Sequence, residues 1–380
     1  MRFDRYVAAT LTMLVVATWR LWTGVTEFPR VPVREFLTVP EVVVWALIAI
    51  AIGCAWVGRR VTWAITALCL TILFVGDQTL LQPWAYQSAI YAALFAAIPN
   101  ALAGRDRDLR FHRAVAISVY LYSGLGKLDA QFAHTVGQDF LAAITFGASG
   151  RWPSSVAVAA ALALPIGECI AALCLMVPPR WIAWPRRVGA IFVIAIHLSL
   201  IVLLGPWSLD HSTGVLLWNA ALIGQASILF FKPDHDRPPS ATRYPVALAI
   251  TWVVLIGPLF ERSGYWDHWL AWSLYAPHTS RVEVQVSASA MTDDSLMVRF
   301  ADDDPDGDRW HTVDLSAMSL QTIGVPVYPQ ASYQGRLVDQ LIDRDGLQRK
   351  TRRIVLGPAD RWTGQREREF QFGRPTKRPW

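Results

Sequence analysis

Residues 155–178 read SVAVAAALALPIGECIAALCLMVP, twenty-four positions with Glu168 as the one charged side chain. A bilayer's hydrocarbon core takes roughly 20 apolar residues of α-helix, so this stretch has the length and composition of a membrane span. A helix on the surface of a soluble core would instead alternate an apolar face with a polar one. Working outward, comparable runs cover approximately 6–25, 39–57, 61–81, 84–100, 109–128, 186–205, 213–231 and 243–261. The pattern predicts an all-α polytopic membrane bundle of about nine transmembrane helices, or eight if the short run ending at Pro99-Asn100 does not span.

Charge divides the chain. Residues 1–262 hold 34 of the 65 charged side chains, and the remaining 118 residues hold 31. We therefore expect a transmembrane helical domain over 1–262 and a soluble, β-rich C-terminal domain over 263–380. This composition excludes a soluble globular chain, a disordered chain and a disulfide-stapled secreted domain. The net charge of +5 does not signal a nucleic-acid partner, because much of the surplus lies in short loops between apolar runs. On alternate loops the Lys and Arg count is 14 against 4 (Arg30, Arg34, Arg151 and Arg262). The richer side includes Arg105, Arg107, Arg180, Lys232 and Arg237, and is expected to be cytoplasmic. Nine spans then place the N-terminus in the cytoplasm and the C-terminal domain outside, in a bacterial inner membrane. Arg2 and Arg5 precede the apolar stretch Tyr6–Trp19, but no A-x-A site follows, so the first run reads as an uncleaved span.

Several segments have a bland and a sharper reading. Cys54, Cys69, Cys169 and Cys174 lie inside apolar runs without a C-x-x-C pair and read as buried thiols rather than a metal or redox site. Residues 129–154 are too polar to span and too apolar for a free loop, which suggests an interfacial or re-entrant piece. Trp84, Trp152, Trp207, Trp266 and Trp269 fall near outer span ends, as an aromatic belt would. In the C-terminal part, Arg281–Val286 alternates with the period of a half-buried strand, Leu296–Phe300 and Trp310–Leu315 read as two further strands, and Tyr333–Gly346 as a helix. Asp302, Asp304, Asp306 and Gly307 match the opening of a calcium loop. Val313 occupies the position that needs a bidentate Glu, and Pro-Asp-Gly is a turn signal, so a turn is the first reading. Residues 344–380 carry 11 basic and 4 acidic side chains, a solvated surface or a contact for anionic lipid.

Ionisable groups inside apolar runs cost free energy and need a reason. Arg20 reads as a snorkelling side chain, Glu168 as polar glue between helices, His197 as a hydrogen-bonded core histidine or a ligand, and Asp77 as a helix-end or ion-pair group. Lys127 closes the run Tyr120-Leu-Tyr-Ser-Gly-Leu-Gly-Lys127-Leu-Asp129, where Ser123, Gly124 and Gly126 allow close approach to the backbone. Two readings stand side by side. Desolvation there would favour a neutral amine able to act as a base, whereas pairing with Asp129 or Asp77 would hold it charged.

At these residues the sequence resembles the vitamin K-dependent gamma-carboxylases and their bacterial HTTM relatives. Y-L-Y-S-G-L-G-K-L-D-A-Q-F is similar to the family's span ending in small-Gly-x-x-Lys-Leu-Asp, which would put Lys127 on the catalytic base. Asp77-Gln78 through Trp84-Ala-Tyr86 to Tyr91 resembles an upstream segment, and His197 through Gly205-Pro206-Trp207 a downstream span and turn. Trp272-Ser-Leu-Tyr275 resembles the family's tryptophan segment after its last span, so the likeness covers roughly residues 70–285. The family's aromatic-segment histidine is absent, with Gln82 and Gln87 the nearest polar residues, and the C-terminal part is far shorter than the carboxylase lumenal domain. The resemblance implies a reduced quinone as cofactor, handled by Lys127 with His197 and Asp77 orienting or relaying protons, and Ser123, Gly124, Gly126, Trp84 and Tyr86 around the ring. Rival readings are a non-enzymatic or electron-relay protein of the DoxX and MauE kind, and a membrane scaffold for the C-terminal domain. No P-loop, hydrolase elbow or inverted repeat supports a nucleotide enzyme, a serine hydrolase or a transporter.

Overall fold

The quoted run forms one helix, Ser154–Met176, which carries Pro165 inside it. The computed structural model describes residues 2–24, 27–98, 108–178, 182, 184–231 and 241–372. In chain order the first helices are α1 (Phe3–Ala17), α2 (Trp19–Thr23), α3 (Glu41–Val57), α4 (Arg60–Gly76), α5 (Pro83–Ala97) and α6 (Arg110–Lys127). Two short helices follow, α7 (Ala130–His134) and α8 (Val136–Ile144), then α9 (Ser154–Met176), α10 (Trp184–Leu204), α11 (Thr213–Phe230) and α12 (Pro245–Ile256). The C-terminal part runs β1 (Arg281–Ser287), α13 (Leu296–Arg299), β2 (Trp310–Val313), α14 (Leu315–Ile323), α15 (Ala331–Asp345), β3 (Thr351–Leu356) and β4 (Arg368–Phe372).

This overturns the expected bundle of nine, or eight, transmembrane helices. Among the described residues only α9, α10 and α11 are long and apolar enough to cross a membrane. The other runs are apolar but interrupted. The first breaks at Thr18 into α1 and α2, and α1, with 15 residues, extends only about 22 Å against a hydrocarbon core of about 30 Å. Helices α3 and α4 have 17 residues each; Gly58 ends the one in a left-handed cap, and the extended Asp77 ends the other. Helix α5 is apolar for another reason: eleven of its fifteen residues are buried inside the fold. Helix α6 carries Arg110, Arg113 and Lys127. Helix α12 stops after 12 residues and continues as a single 3-10 turn, Gly257–Phe260. A hydropathy pattern does not distinguish lipid-facing from core-facing apolar residues, whereas burial does. On α9 and α10, Val156, Ile166, Ile170, Leu173, Val188, Ile191, Leu198 and Val202 are exposed, which is consistent with association with a membrane. The tryptophan belt is only partial: Trp152 and Trp207 are exposed, but Trp84 and Trp269 are buried core residues. Arg105, Arg107, Arg180, Lys232 and Arg237, part of the loop-charge count, and the Pro99-Asn100 end lie outside the described residues, as do 373–380 of the basic tail.

The C-terminal part is mixed rather than β-rich. Among the described residues four strands form one antiparallel sheet in the order β2-β1-β3-β4, with Val284 opposite Val313 and Arg353, and Val282 opposite Val355. The predicted alternation of the first strand holds, burying Val282, Val284 and Val286. Against that face packs α15, whose Tyr333, Leu337, Val338, Leu341 and Ile342 recur on one helical side. The second predicted strand is instead helix α13, because Ser295 caps it by accepting from the Val298 amide at 3.2 Å. The segment 129–154 folds as α7, α8 and a 3-10 turn at Ala148–Arg151, with α7 and α8 packed along α9.

Helices and sheet meet at named contacts. Thr79 Oγ1 is 2.9 Å from Tyr333 Oη, and the Arg336 guanidinium donates to the carbonyls of Pro32 and Val33 at 2.6 and 2.9 Å. Tyr328 donates to Asp267 at 2.5 Å. The Ala130 amide donates to the Arg361 carbonyl at 2.9 Å, and Arg361 Nε to that of Leu128 at 3.1 Å.

Candidate functional site

Helix α6 delivers Lys127 into the protein because its last turns carry no bulk. A Cβ on Gly124 would lie 2.6 Å from Cys169 Sγ and 2.8 Å from the Pro165 carbonyl, so α6 and α9 approach at backbone distance. Pro165 has no amide to donate, which leaves α9 without one helical bond where α6 docks. Beyond it, Glu168 faces Lys127: Nζ donates to Oε1 at 2.5 Å, with side-chain exposures of 5% and 13%. Of the two expectations for Lys127, a desolvated base or a partner of Asp129 or Asp77, the second named other carboxylates than the one found, Glu168. Glu168 stands fourteen residues into α9, about 21 Å along its axis. The Lys127 ammonium therefore meets α9 away from either end of that helix.

His197 of α10 belongs to the same neighbourhood. Its Nδ1 is 2.8 Å from Asn219 Oδ1 on α11, and its ring centroid is 5.6 Å from that of Tyr120, two turns before Lys127 on α6. His197 and Tyr120 both lie within electrostatic reach of Glu168. Three polar atoms here are buried without a hydrogen-bond partner among the described residues: Tyr120 Oη, Glu168 Oε2 and His197 Nε2. Buried polar atoms in folded proteins are nearly always satisfied by protein or water, so each of the three can take a further polar partner.

The remaining sequence candidates divide. Gly126 holds α6 against Ser273, whose Oγ would be 3.0 Å from a Cβ there, and Ser123 is buried one turn before Lys127. Asp77 is occupied elsewhere, accepting from the Val31 and Thr79 amides at 3.2 and 3.0 Å, and no described contact joins it to Lys127. Tyr86 packs on Trp272 at 5.0 Å between ring centroids, and Trp84 on Trp22 at 5.9 Å. Trp84 also lines a small cavity with Gln87, Tyr91, Trp218 and Gln225 that has room for little more than water.

A second cluster, which the sequence reading missed, sits where α6 and α12 end. Asp129 caps α7 through the Phe132 amide at 2.7 Å and accepts from Arg262 at 2.7 Å. His278 lies between two carboxylates, with Nδ1 3.1 Å from Asp129 Oδ2 and Nε2 2.9 Å from Glu261 Oε1. His268 Nδ1 reaches the same Glu261 oxygen at 2.9 Å. Burial alone would raise both carboxyls. The histidine hydrogen bonds outweigh it, joined at Asp129 by the Phe132 amide and Arg262, and hold Asp129 and Glu261 below their ordinary values. Burial would lower His278, but its bonds to Asp129 and Glu261 carry it above the ordinary histidine value. Glu261, His268 and His278 could hold a metal ion, as could Asp304, Asp306 and Asp308 at the exposed turn. In that turn Asp302, first of the calcium-like run, is drawn away to the Thr312 amide at 2.8 Å. The spacing Glu261-x6-His268-x9-His278 follows no familiar ligand pattern, so only folding reveals the first cluster.

No protein-family model, curated protein or solved structure matches this chain.

Proposed function

We propose that this is a membrane protein that binds a small ligand bearing a weakly acidic hydroxyl at the Lys127–Glu168 pair and moves its proton there. A hydroquinone, the class implied by the carboxylase resemblance, is the ligand we assign. One observation carries the reading: a buried ion pair has three unpartnered polar atoms, Tyr120 Oη, Glu168 Oε2 and His197 Nε2, in its surroundings. The chemistry follows from the pair. Lys127 already donates to one oxygen of Glu168, so the free Oε2 is the acceptor for the hydroxyl proton, and the ammonium stabilises the oxyanion left behind. His197, held by Asn219, and Tyr120 orient the ligand's second oxygen. Asp77 takes no part in this scheme. In the same proposal the protein lies in a bacterial inner membrane with its N-terminus cytoplasmic, and the odd number of candidate spans among the described residues, α9, α10 and α11, carries its C-terminal part outside.

The test is binding and aerobic oxidation of a reduced naphthoquinone by the full chain in nanodiscs, wild type beside Lys127→Ala and Tyr120→Phe. The expected result is binding and turnover in the wild type, turnover lost in Lys127→Ala and weakened binding in Tyr120→Phe. A wild type that neither binds nor oxidises the quinol overturns the proposal and leaves a scaffold for the C-terminal part as the better reading. Binding with no turnover in any variant refutes the proton-transfer step and favours a non-enzymatic quinone protein.

A further inference from the structure

The Glu261–His268–His278 cluster plays no part in the function proposed above, and its geometry is specific. The three donor atoms all lie within 4.8 Å of one another. Glu261 Oε1 is 2.9 Å from His268 Nδ1 and 2.9 Å from His278 Nε2, so both imidazoles aim at one carboxylate oxygen. Donors held at about 2.0–2.1 Å from a metal stand about 2.9 Å apart at a right angle and about 3.3 Å apart at the tetrahedral angle. The two carboxylate–imidazole spacings are those of neighbouring corners of a coordination sphere. The two rings are nearly perpendicular, 77° apart with centroids at 5.2 Å, so their nitrogens converge instead of the rings stacking.

The surroundings fit the same purpose. His268 and His278 are 2% and 3% exposed, so the donors are fixed by packing. His278 is held from behind: its Nδ1 faces Asp129 Oδ2 at 3.1 Å, the carboxylate–histidine arrangement that fixes the tautomer and leaves Nε2 free to ligate. Arg262 donates to that same Asp129 oxygen at 2.7 Å and fixes it in turn. Two imidazoles and one carboxylate suit zinc and its first-row neighbours, whereas calcium and magnesium take all-oxygen shells.

We propose that Glu261, His268 and His278 hold one divalent transition-metal ion of the zinc class, with Asp129 positioning His278. The ion ties the end of the α12 segment to the connection that leads into β1, and through Asp129 to the start of α7. It fastens the helices to the C-terminal part directly beside the α6 end that carries Lys127.

The experiment uses the full chain in nanodiscs, stripped with a chelator and dialysed against zinc, with bound metal counted by mass spectrometry. The expected result is one zinc per wild-type chain, lost in Glu261→Gln and His268→Gln but kept in Asp306→Ala, which removes the acidic turn as a competing site. Asp129→Asn should keep the stoichiometry while weakening affinity by about 10- to 100-fold. X-ray absorption at the zinc edge of the wild type needs no variant to fold, and should show two imidazoles with oxygen completing the shell. A wild type that takes up no zinc, stoichiometry unchanged in Glu261→Gln and His268→Gln, or a shell without histidine each overturns the site and leaves a hydrogen-bonded network.

Discussion

Replacing Lys127 and Glu168 singly and together tests the centre of the proposed site. The exposures of 5% and 13% put this pair far from the surface regime, where an ion pair contributes about 0–1 kcal/mol. For a buried pair, removing one partner strands the other charge in an apolar surround, at a cost of about 3–5 kcal/mol. Removing both is different, because each charge has already lost its hydration in the folded state; well-packed apolar replacements are neutral or more stable by about 1–4 kcal/mol. Lys127→Met and Glu168→Leu should therefore each destabilise strongly, and the double variant should recover most or all of the loss. The coupling between the two positions would then reach several kcal/mol. The assay is reversible unfolding of the nanodisc-reconstituted or mixed-micelle protein, followed by helical signal, for all four members of the cycle. Single variants costing under about 1 kcal/mol, or a double variant as unstable as the sum of the singles, would refute the buried pair. The same four proteins separate stability from function, since the double variant should fold and still fail to oxidise quinol.

Three further outcomes follow from local geometry. Gly124→Ala places a Cβ 2.6 Å from Cys169 Sγ and 2.8 Å from the Pro165 carbonyl, and should cost about 1–3 kcal/mol in the same unfolding assay. Gly53→Ala on α3 meets nothing within 4 Å and should gain up to about 1 kcal/mol from helix propensity, so equal effects at the two glycines would contradict the α6–α9 contact. Tyr333→Phe removes the 2.9 Å bond to Thr79 between two buried residues, and should cost about 1–3 kcal/mol while leaving quinol oxidation unchanged. Asp360 is held below the usual carboxylate value by the Thr363 amide and hydroxyl and by the Trp362 amide. A depressed folded value means its contribution is present above the unfolded value and fades as pH falls through the folded one. Asp360→Asn should accordingly lower the thermal midpoint near neutral pH, with the gap closing in strong acid; a gap that stays constant across that range would count against the capped turn.

Some features were legible in the residues alone because their physics is local. The alternation R-V-E-V-Q-V made Arg281–Ser287 a strand, and the 3.6-residue recurrence from Tyr333 to Ile342 made α15 a helix. Small residues around a lone lysine singled out Lys127 before any partner was visible. The misses share a cause. Leu296–Phe300 is too short for periodicity to separate helix from strand, and a serine cap decided it. Nine apolar runs did not make nine spans, since the residues of α5 are apolar to fill a core and those of α9 and α10 are apolar and exposed.

The sequence by itself determined that long apolar helices precede a charged C-terminal part with a strand and an amphipathic helix. It also determined that Lys127 stands in an unusually small-sided turn. Only the tertiary structure decided that Lys127 meets Glu168, forty-one positions on, and that Asp129, Glu261, His268 and His278 converge. Helix and strand periods are written within a few residues, but a charge buried among apolar helices takes whichever partner packing brings within hydrogen-bond reach. That choice depends on where glycines let backbones close and prolines let helices yield, and it carries no signature along the chain.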